Sequence, residues 1–444
     1  MDNHLKRSIG LGSALSIIVG TIIGSGIFFK QASVLDSAGS TFMALLAWIL
    51  AGIITLTAGL TIAEIGAQMP YTGGLYVYIE KNLRPRFRFY GWLDAGYCVR
   101  SCYDSCSYRF FLSIMVTNLF GIGTEWRIPI GLITIIAIGG LNFLENKVGA
   151  AFAIITTIAK MIPIFAIIFC GICWGEQNAV AQTVTELNRS TGGLGVAVLA
   201  ALFAYDGWIF IANLGGEIKN PQKLLPKAII IGITTVLVIY ALITIGIFSF
   251  IPADKIHALG KNSTTYLADA ILGPIGGKVL SVGIIISMLG TLNGEMLTFP
   301  RVIYAMAKRG DLPFSRFLSY VTPKGKAPVM ATMLLITLTG IMMTFFDPDY
   351  LSNLCVFTIY SFYVLAFFGL FILRYKNKDQ RPFSVPFYPL IPLVAIAGGL
   401  FVLVSQFFND PAGVLLFTGI TAVGWPIFFL VKKMSKAQNT IIED

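Results

Sequence analysis

Apolar residues recur along the chain in blocks of about twenty, separated by short breaks containing polar residues, proline or glycine. A block of that length crosses a hydrocarbon layer of about 30 Å as a helix. The pattern predicts spans at 9–30, 41–67, 86–119, 128–144, 148–175, 193–214, 226–251, 276–306, 327–346, 351–373, 388–408 and 412–431. This is the pattern of an all-α polytopic membrane protein with 12 transmembrane helices, in which residues 1–444 form a single transmembrane domain. Turn signals punctuate the blocks: Pro70 with Gly73 and Gly74, Asn220-Pro221, Pro323, Pro328, and the series Pro382, Pro386, Pro389 and Pro392.

Two blocks are interrupted near their middle. The first holds Gly20, Gly24 and Gly26 within seven residues, and the sixth holds Asp206 and Gly207 inside Phe203-Ala204-Tyr205-Asp206-Gly207-Trp208. Each glycine weakens a helix by about 1 kcal/mol relative to alanine, which favours local unwinding. Bare backbone at that depth is tolerated only where it lines a cavity or is buried in protein. Breaks five spans apart point to an inverted-repeat transporter with its site between two discontinuous helices. Close packing of helices through small residues is the competing reading.

Lys160 lies in the middle of a span, in Ile158-Ala159-Lys160-Met161-Ile162-Pro163. An ionisable group at that depth is costly unless partnered and therefore points to function, against the alternative of a structural lysine. Asp206 and Glu295 are the other deep carboxylates. Asp206 either bonds the interrupted backbone or carries protons; Glu295 either lines an inner cavity with Asn293 nearby or pairs with Arg301. Glu64 and Glu217 fall near span ends, where a gate salt bridge and a solvated face are both open readings.

Composition excludes other classes. Of the 444 residues, 56% are apolar and 12% charged, about half the charged share of a soluble chain. A soluble multi-domain enzyme, a disordered chain and a disulfide scaffold are ruled out. The net charge of +10 reflects topology and does not call for a nucleic-acid partner. With the N-terminus placed in the cytosol, Lys219, Lys223, Lys227, Lys308, Arg309, Arg374 and Lys376 fall on inner segments. Outside 82–111, the outer segments hold only Lys30, Arg127, Arg189, Lys255, Lys261 and Lys278. That bias predicts both termini in the cytoplasm. The cysteines, Cys98, Cys102, Cys106, Cys170, Cys173 and Cys355, lie in or near spans, where no disulfide framework is expected. Cys98, Cys102 and Cys106 share a helix face but have no nearby histidine, so no metal and no cofactor is expected. His4 and His257 are the only histidines and lie outside the spans, and there is no HExxH motif. No catalytic constellation is present, and the chain reads as no enzyme.

The residues at the breaks carry a resemblance. Gly-Thr-Ile-Ile-Gly-Ser-Gly-Ile-Phe at 20–28 resembles the first-helix motif of the amino acid–polyamine–organocation superfamily. Phe203 to Trp208, followed by Gly216-Glu217-Ile218-Lys219-Asn220-Pro221, is similar to the sixth-helix signature of its L-type amino acid transporter branch. Ala63-Glu64-Ile65-Gly66 with Pro70 and Tyr76, Leu292-Asn293-Gly294, and Arg309-Gly310-Asp311-Leu312-Pro313 extend the likeness over nearly the whole chain.

The resemblance implies a leucine-transporter-like 5+5 inverted repeat with discontinuous helices 1 and 6. Spans 1–5 (9–175) would form the first repeat, spans 6–10 (193–373) the second, and 388–431 would hold spans 11 and 12 outside both. It implies a sodium-independent exchanger of small neutral amino acids such as serine and threonine in a bacterial plasma membrane. A cationic amino acid or polyamine antiporter and a proton-coupled symporter are the alternatives. It implies that Ser25, Gly26 and Ile27 present N–H groups to the substrate carboxylate. The carbonyls of Ile22, Phe203 and Asp206 would receive its ammonium, and Phe203 would cover it as a gate. It also implies that Lys160 fills the place of a sodium ion, contacting carbonyls near Gly20 and the hydroxyl of Ser287. Amino acids and the lipid bilayer are the expected partners of a monomer or weak oligomer. The loop from Asn118 to Trp126 lacks the cysteine that binds a heavy chain in eukaryotic members, so no such subunit is expected.

The third span departs from the pattern. Arg84, Arg86, Arg88, Asp94, Arg100, Asp104 and Arg109 occupy a stretch that should be apolar. Back-translation of Tyr90 to Cys106, read from the second base of each codon, admits an apolar helix containing the Tyr-Gly-Pro-Ala of the family's third span. A compensated double frameshift over roughly 82–111 is the expectation, and the nucleotide sequence tests it.

Overall fold

The computed structural model describes residues 7–83, 112–144, 146–184, 193–322, 327–345, 348–376, 381–415 and 418–419. The helices in chain order are α1 Leu11–Ile22, α2 Gly26–Ala38, α3 Thr41–Gln68, α4 Gly74–Leu83, α5 over 112–120, α6 Arg127–Leu144, α7 Asn146–Trp174 and α8 Gly193–Ala204. They continue with α9 Phe210–Asn213, α10 Pro221–Phe250, α11 Ala253–Leu259, α12 Ser263–Leu272, α13 Gly276–Lys308, α14 Ser315–Leu318, α15 Val329–Phe345, α16 Pro348–Lys376 and α17 Leu390–Asn409. Among the described residues, extended backbone pairs only as isolated bridges.

Seven of these helices are long and apolar enough to cross a membrane, or eight when α1 and α2 count as one bent span. The interrupted α8–α9 segment and the shorter α15 fall at two further expected spans. Most of expected spans 3 and 12, including the anomalous 84–111, lies outside the described residues.

The helices are apolar outward and mixed inward. On α7, Ile155, Ile158, Ile162, Phe165 and Phe169 are exposed at helical spacing, while Thr156, Thr157, Lys160, Ile164 and Ile167 are buried. This reverses the amphipathicity of a soluble helix, as expected where the surroundings are hydrocarbon. α3 packs on α10, α7 on α13 and α10, and α2 on α8, which places the two interrupted segments side by side in the core.

The structure differs from the sequence expectation in two places. α2 runs on to Ala38, past Lys30 and Asp36, where the apolar block ends. α11 and α12 occupy the stretch between the expected spans 226–251 and 276–306, for which the sequence pattern predicts no span.

Candidate functional site

The first interruption is a short irregular segment. α1 ends at Ile22, α2 begins at Gly26, and the two axes differ by 44°. The carbonyl of Ser25 accepts from the N–H groups of Phe28 and Phe29, so α2 is wound from its first turn. The N–H groups of Ser25, Gly26 and Ile27 make no backbone hydrogen bond among the described residues, and the Ser25 side chain does not cap the helix. These are the orphan donors that every helix start leaves, and they carry the positive end of the helix dipole.

The second interruption faces the first. α8 ends at Ala204, residues 205–209 form turns, and Gly207 sits at φ +107°, a conformation that side chains rarely adopt. Thr21 Oγ1 donates to the Gly207 carbonyl at 3.1 Å. A Cβ at Gly207 would lie 2.9 Å from the carbonyl carbon and oxygen of Thr21, and one at Gly26 would lie 2.8 Å from the Ala204 Cβ. Glycine at both positions lets the two backbones touch. The hydroxyl of Tyr240 on α10 is shared between the carbonyls of Ile22 (3.1 Å) and Ala204 (2.9 Å). Trp48 and Tyr205 pack edgewise on its ring. Tyr240 did not stand out in the sequence, yet a tyrosine within an apolar block needs a partner for its hydroxyl, and that signal could have found it.

Lys160 is fully buried behind this junction. Its Nζ donates to the carbonyls of Gly20 (2.7 Å), Ile23 (2.6 Å) and Ser287 (3.1 Å), joining α7 to the end of α1 and to α13. It meets the backbone of Ser287 where the expectation was the hydroxyl; that hydroxyl donates instead to Ile23 (2.9 Å) and Gly24 (3.3 Å). Thr291 Oγ1 adds a second donor to Gly20. The negative end of the α1 dipole thus meets the Lys160 amine and two hydroxyls as hydrogen-bond donors.

A cavity of about 490 Å³ opens beside the junction, lined by Ser25, Gly26, Phe29, Lys30, Asp36, Met115, Asn118, Phe203 and Asn262 among others. Of the expected contact residues, Ser25, Gly26 and Phe203 line it. Ile27 is buried, and the Ile22 carbonyl is taken by Gly24 N–H (2.9 Å) and Tyr240. The Phe203 carbonyl accepts from Asp206 N–H at 3.3 Å, and the Asp206 carboxylate accepts from the Tyr363 hydroxyl at 3.1 Å.

Asn293 and Glu295 are fully buried in α13 and do not line this cavity. Asn293 accepts from Asn142 (3.0 Å) and donates to the Gly149 carbonyl (2.9 Å), a bridge between α6, α7 and α13.

The opposite end of the molecule is closed by ion pairs. Glu64 lies near the far end of α3, roughly 35 Å along the helix from Thr41. Glu64 and Glu217 are fully buried, which removes the solvated-face reading. Arg374 grips Glu64 in a two-point contact of 2.7 and 2.5 Å, and Val385 N–H adds a third at 2.7 Å. Arg301 donates to Glu217 at 3.0 Å. Arg309 pairs with Glu80, and Tyr76 donates to Asp311 at 3.0 Å.

These features are a cavity ending at two interrupted helices, with charge-paired elements closing the other end. The amino acid permease family matches the chain over residues 9–431. The chain is 44% identical to the serine/threonine exchanger SteT of Bacillus subtilis (strain 168), covering 97% of this chain and 98% of that protein. It is 30% identical to the human cystine/glutamate transporter, over 96% and 85% of the two chains. It is 29% identical to the mouse large neutral amino acids transporter small subunit 2, over 96% and 81%. These relatives are transporters and not enzymes. The chain belongs to the amino acid permease family.

Proposed function

We propose that the protein is a sodium-independent exchanger of small neutral L-amino acids, with serine and threonine favoured, working by alternating access. The observation that carries the reading is the uncapped start of α2, where Ser25 and Gly26 line an open cavity and the N–H groups of Ser25, Gly26 and Ile27 make no backbone hydrogen bond among the described residues. A substrate carboxylate supplies the acceptor that the Ser25 side chain does not, as anions do at helix N-termini. Its ammonium lies toward the carbonyls of Phe203 and Asp206, since Gly24 N–H and Tyr240 already fill the Ile22 carbonyl, and the Phe203 ring covers the pair from the cavity side. Lys160 holds the carbonyls of Gly20 and Ile23 that would otherwise suit a cation, so no sodium is needed there.

Breaks in the first and sixth expected spans support a 5+5 inverted repeat of 9–175 and 193–373. The lysine and arginine bias supports cytoplasmic termini in a bacterial plasma membrane. On that orientation the cavity faces outward, and the Glu64–Arg374 and Glu217–Arg301 pairs form the inner gate. The absence of cysteine between Asn118 and Trp126 supports a carrier that works without a heavy chain.

Counterflow tests the reading. Proteoliposomes loaded with serine take up labelled serine faster than empty ones, equally in sodium and in choline buffer. Uptake that ignores the internal serine, or that requires sodium, overturns the proposal. Gly26→Ala sharpens the test, because its Cβ would meet Ala204 Cβ and Cα at 2.8 and 2.9 Å. Forcing α2 off α8 costs about 1–3 kcal/mol, and the serine exchange rate falls roughly tenfold at unchanged protein content.

A further inference from the structure

α10 begins with a row of cations that the transport mechanism does not use. Lys223 and Lys227 lie one turn apart in its first two turns, and Lys219 stands just before Asn220 and the helix start at Pro221. All three are exposed. At 3.6 residues per turn, Lys223 and Lys227 share one face with Ile231, Thr234 and Val238, which are exposed as well. Ile231 and Val238 belong to the apolar outward surface of a helix long enough to cross a membrane.

Depth follows from the rise of the helix. Counted back from Phe250 at the end of α10, the roughly 20 residues that cross a hydrocarbon layer begin near Ile231. Lys227 then lies about 6 Å beyond the hydrocarbon edge and Lys223 about 12 Å beyond it. The headgroup zone is about 5–7 Å deep on each side. Lys227 therefore falls among the headgroups and Lys223 at their water side, where a long lysine stem lets the ammonium adjust its height. The start of α10 adds the positive end of its dipole.

The same row is fastened to the closed end of the molecule. Lys219 N–H donates to the Ile9 carbonyl at 2.9 Å, and Ile9 pairs with Ile218 as a parallel bridge. Glu217, two positions before Lys219, accepts from Arg301 at 3.0 Å. A group held on the lysines bears on the segment leading into α1, on the strip after the second interruption and, through Arg301, on α13.

We propose that Lys219, Lys223 and Lys227 form a docking surface for the phosphate headgroup of an anionic membrane lipid, which steadies the closed end. An amphiphile fits better than an acidic protein, because the face that carries Lys223 and Lys227 continues into the lipid-facing surface at Ile231 and Val238. Phosphate and acyl chain match the two parts in turn. The proposal goes beyond the exchanger reading and needs only that α10 crosses a bilayer.

The experiment uses the full chain, purified in a neutral detergent. Phosphatidylglycerol or phosphatidylcholine with the same acyl chains is titrated in, and the melting temperature and the lipid retained in native mass spectra are followed. The native protein prefers phosphatidylglycerol. Each lysine near the surface adds about fivefold to such a preference, so Lys223→Gln combined with Lys227→Gln lowers it by roughly 25-fold, while the matching pair of arginine substitutions keeps it. At an ionic strength of about 1 M, where charges are screened within about 3 Å, the native preference collapses toward that of the glutamine pair. A preference equal in the native protein and the glutamine pair overturns the proposal. So does a native preference indifferent to salt, a result that requires no variant to fold. Inorganic phosphate alone leaves the melting temperature unmoved; an equal rise with it would assign the surface to a free anion and overturn the lipid. Serine counterflow plays no part in these readouts, so failure of the exchanger reading and failure of this surface are told apart.

Discussion

Lys160→Met abolishes serine exchange and lowers the melting temperature of the purified protein. Methionine nearly matches the reach of the lysine stem but donates nothing. Gly20, Ile23 and Ser287 then each lose the donor that holds them. A buried acceptor left unsatisfied costs about 1–3 kcal/mol. Thr291 and the Ser287 hydroxyl still reach Gly20 and Ile23, so the sum stays near a few kcal/mol. The loss concentrates at the end of α1, the segment that sets the direction of α2 and the cavity floor. A penalty of about 3–4 kcal/mol on that geometry slows exchange by a factor of several hundred. Lys160→Arg fails as well: a Cβ on Gly290 would already come within 3.3 Å of Nζ, which leaves little room for a guanidinium. Initial counterflow rates at equal protein content, measured beside melting curves, check both variants. Rates within about twofold of native in Lys160→Met would show that the bridge does not support transport.

The parts of this architecture legible in the sequence are those with a local signature. The interruptions announce themselves through Gly20, Gly24, Gly26 and Gly207, because only a main chain that must bend or touch another main chain concentrates glycine at mid-span. Lys160 stands out because charge is rare at that depth. The length of α2 was hidden for the same reason. Lys30 and Asp36 end the apolar block, but they belong to the helix because its C-terminal half lines an open cavity that accommodates polar side chains. α11 and α12 were hidden by being too short and polar to register as spans.

The partners of the buried carboxylates had no local signal at all. Glu64 and Arg374 stand 310 positions apart, and Glu217 and Arg301 stand 84 apart. Only the folded arrangement of α3, α13 and α16 decides which arginine meets which acid. The choice of the Ser287 carbonyl over its hydroxyl turns on a few ångströms of placement that no spacing rule carries.

The Glu217–Arg301 pair yields the second large effect. Arg301→Ala is expected to destabilise the protein more than any other single truncation at the closed end. Arg301 is 1% exposed and Glu217 is 0% exposed, so removing the guanidinium strips a buried carboxylate of the charged group that donates to it at 3.0 Å. Breaking a buried pair on one side costs about 3–5 kcal/mol, which lowers the melting temperature by roughly 5 °C or more. The damage would spread along the chain, because the Glu217 carbonyl accepts from Ser8 (2.9 Å) and Ile9 (3.1 Å) and the Ile9 carbonyl accepts from Lys219 (2.9 Å). The segment leading into α1 is thereby clamped to the strip that follows the second interruption, and Arg301 ties that strip to α13. Glu217→Gln combined with Arg301→Gln removes both charges together and recovers most of the lost stability, since two neutral amides need no counter-ion. Recovery in the double variant, set against the two single ones in a double-mutant cycle, isolates the pair from its surroundings. A double variant as unstable as Arg301→Ala would place the effect in the packing of the arginine stem and not in the charge pair. If the pair also bars the inner mouth, the double variant exposes cysteines introduced on that side of the cavity to a membrane-impermeant thiol reagent faster than the native pair does, even as its melting temperature recovers.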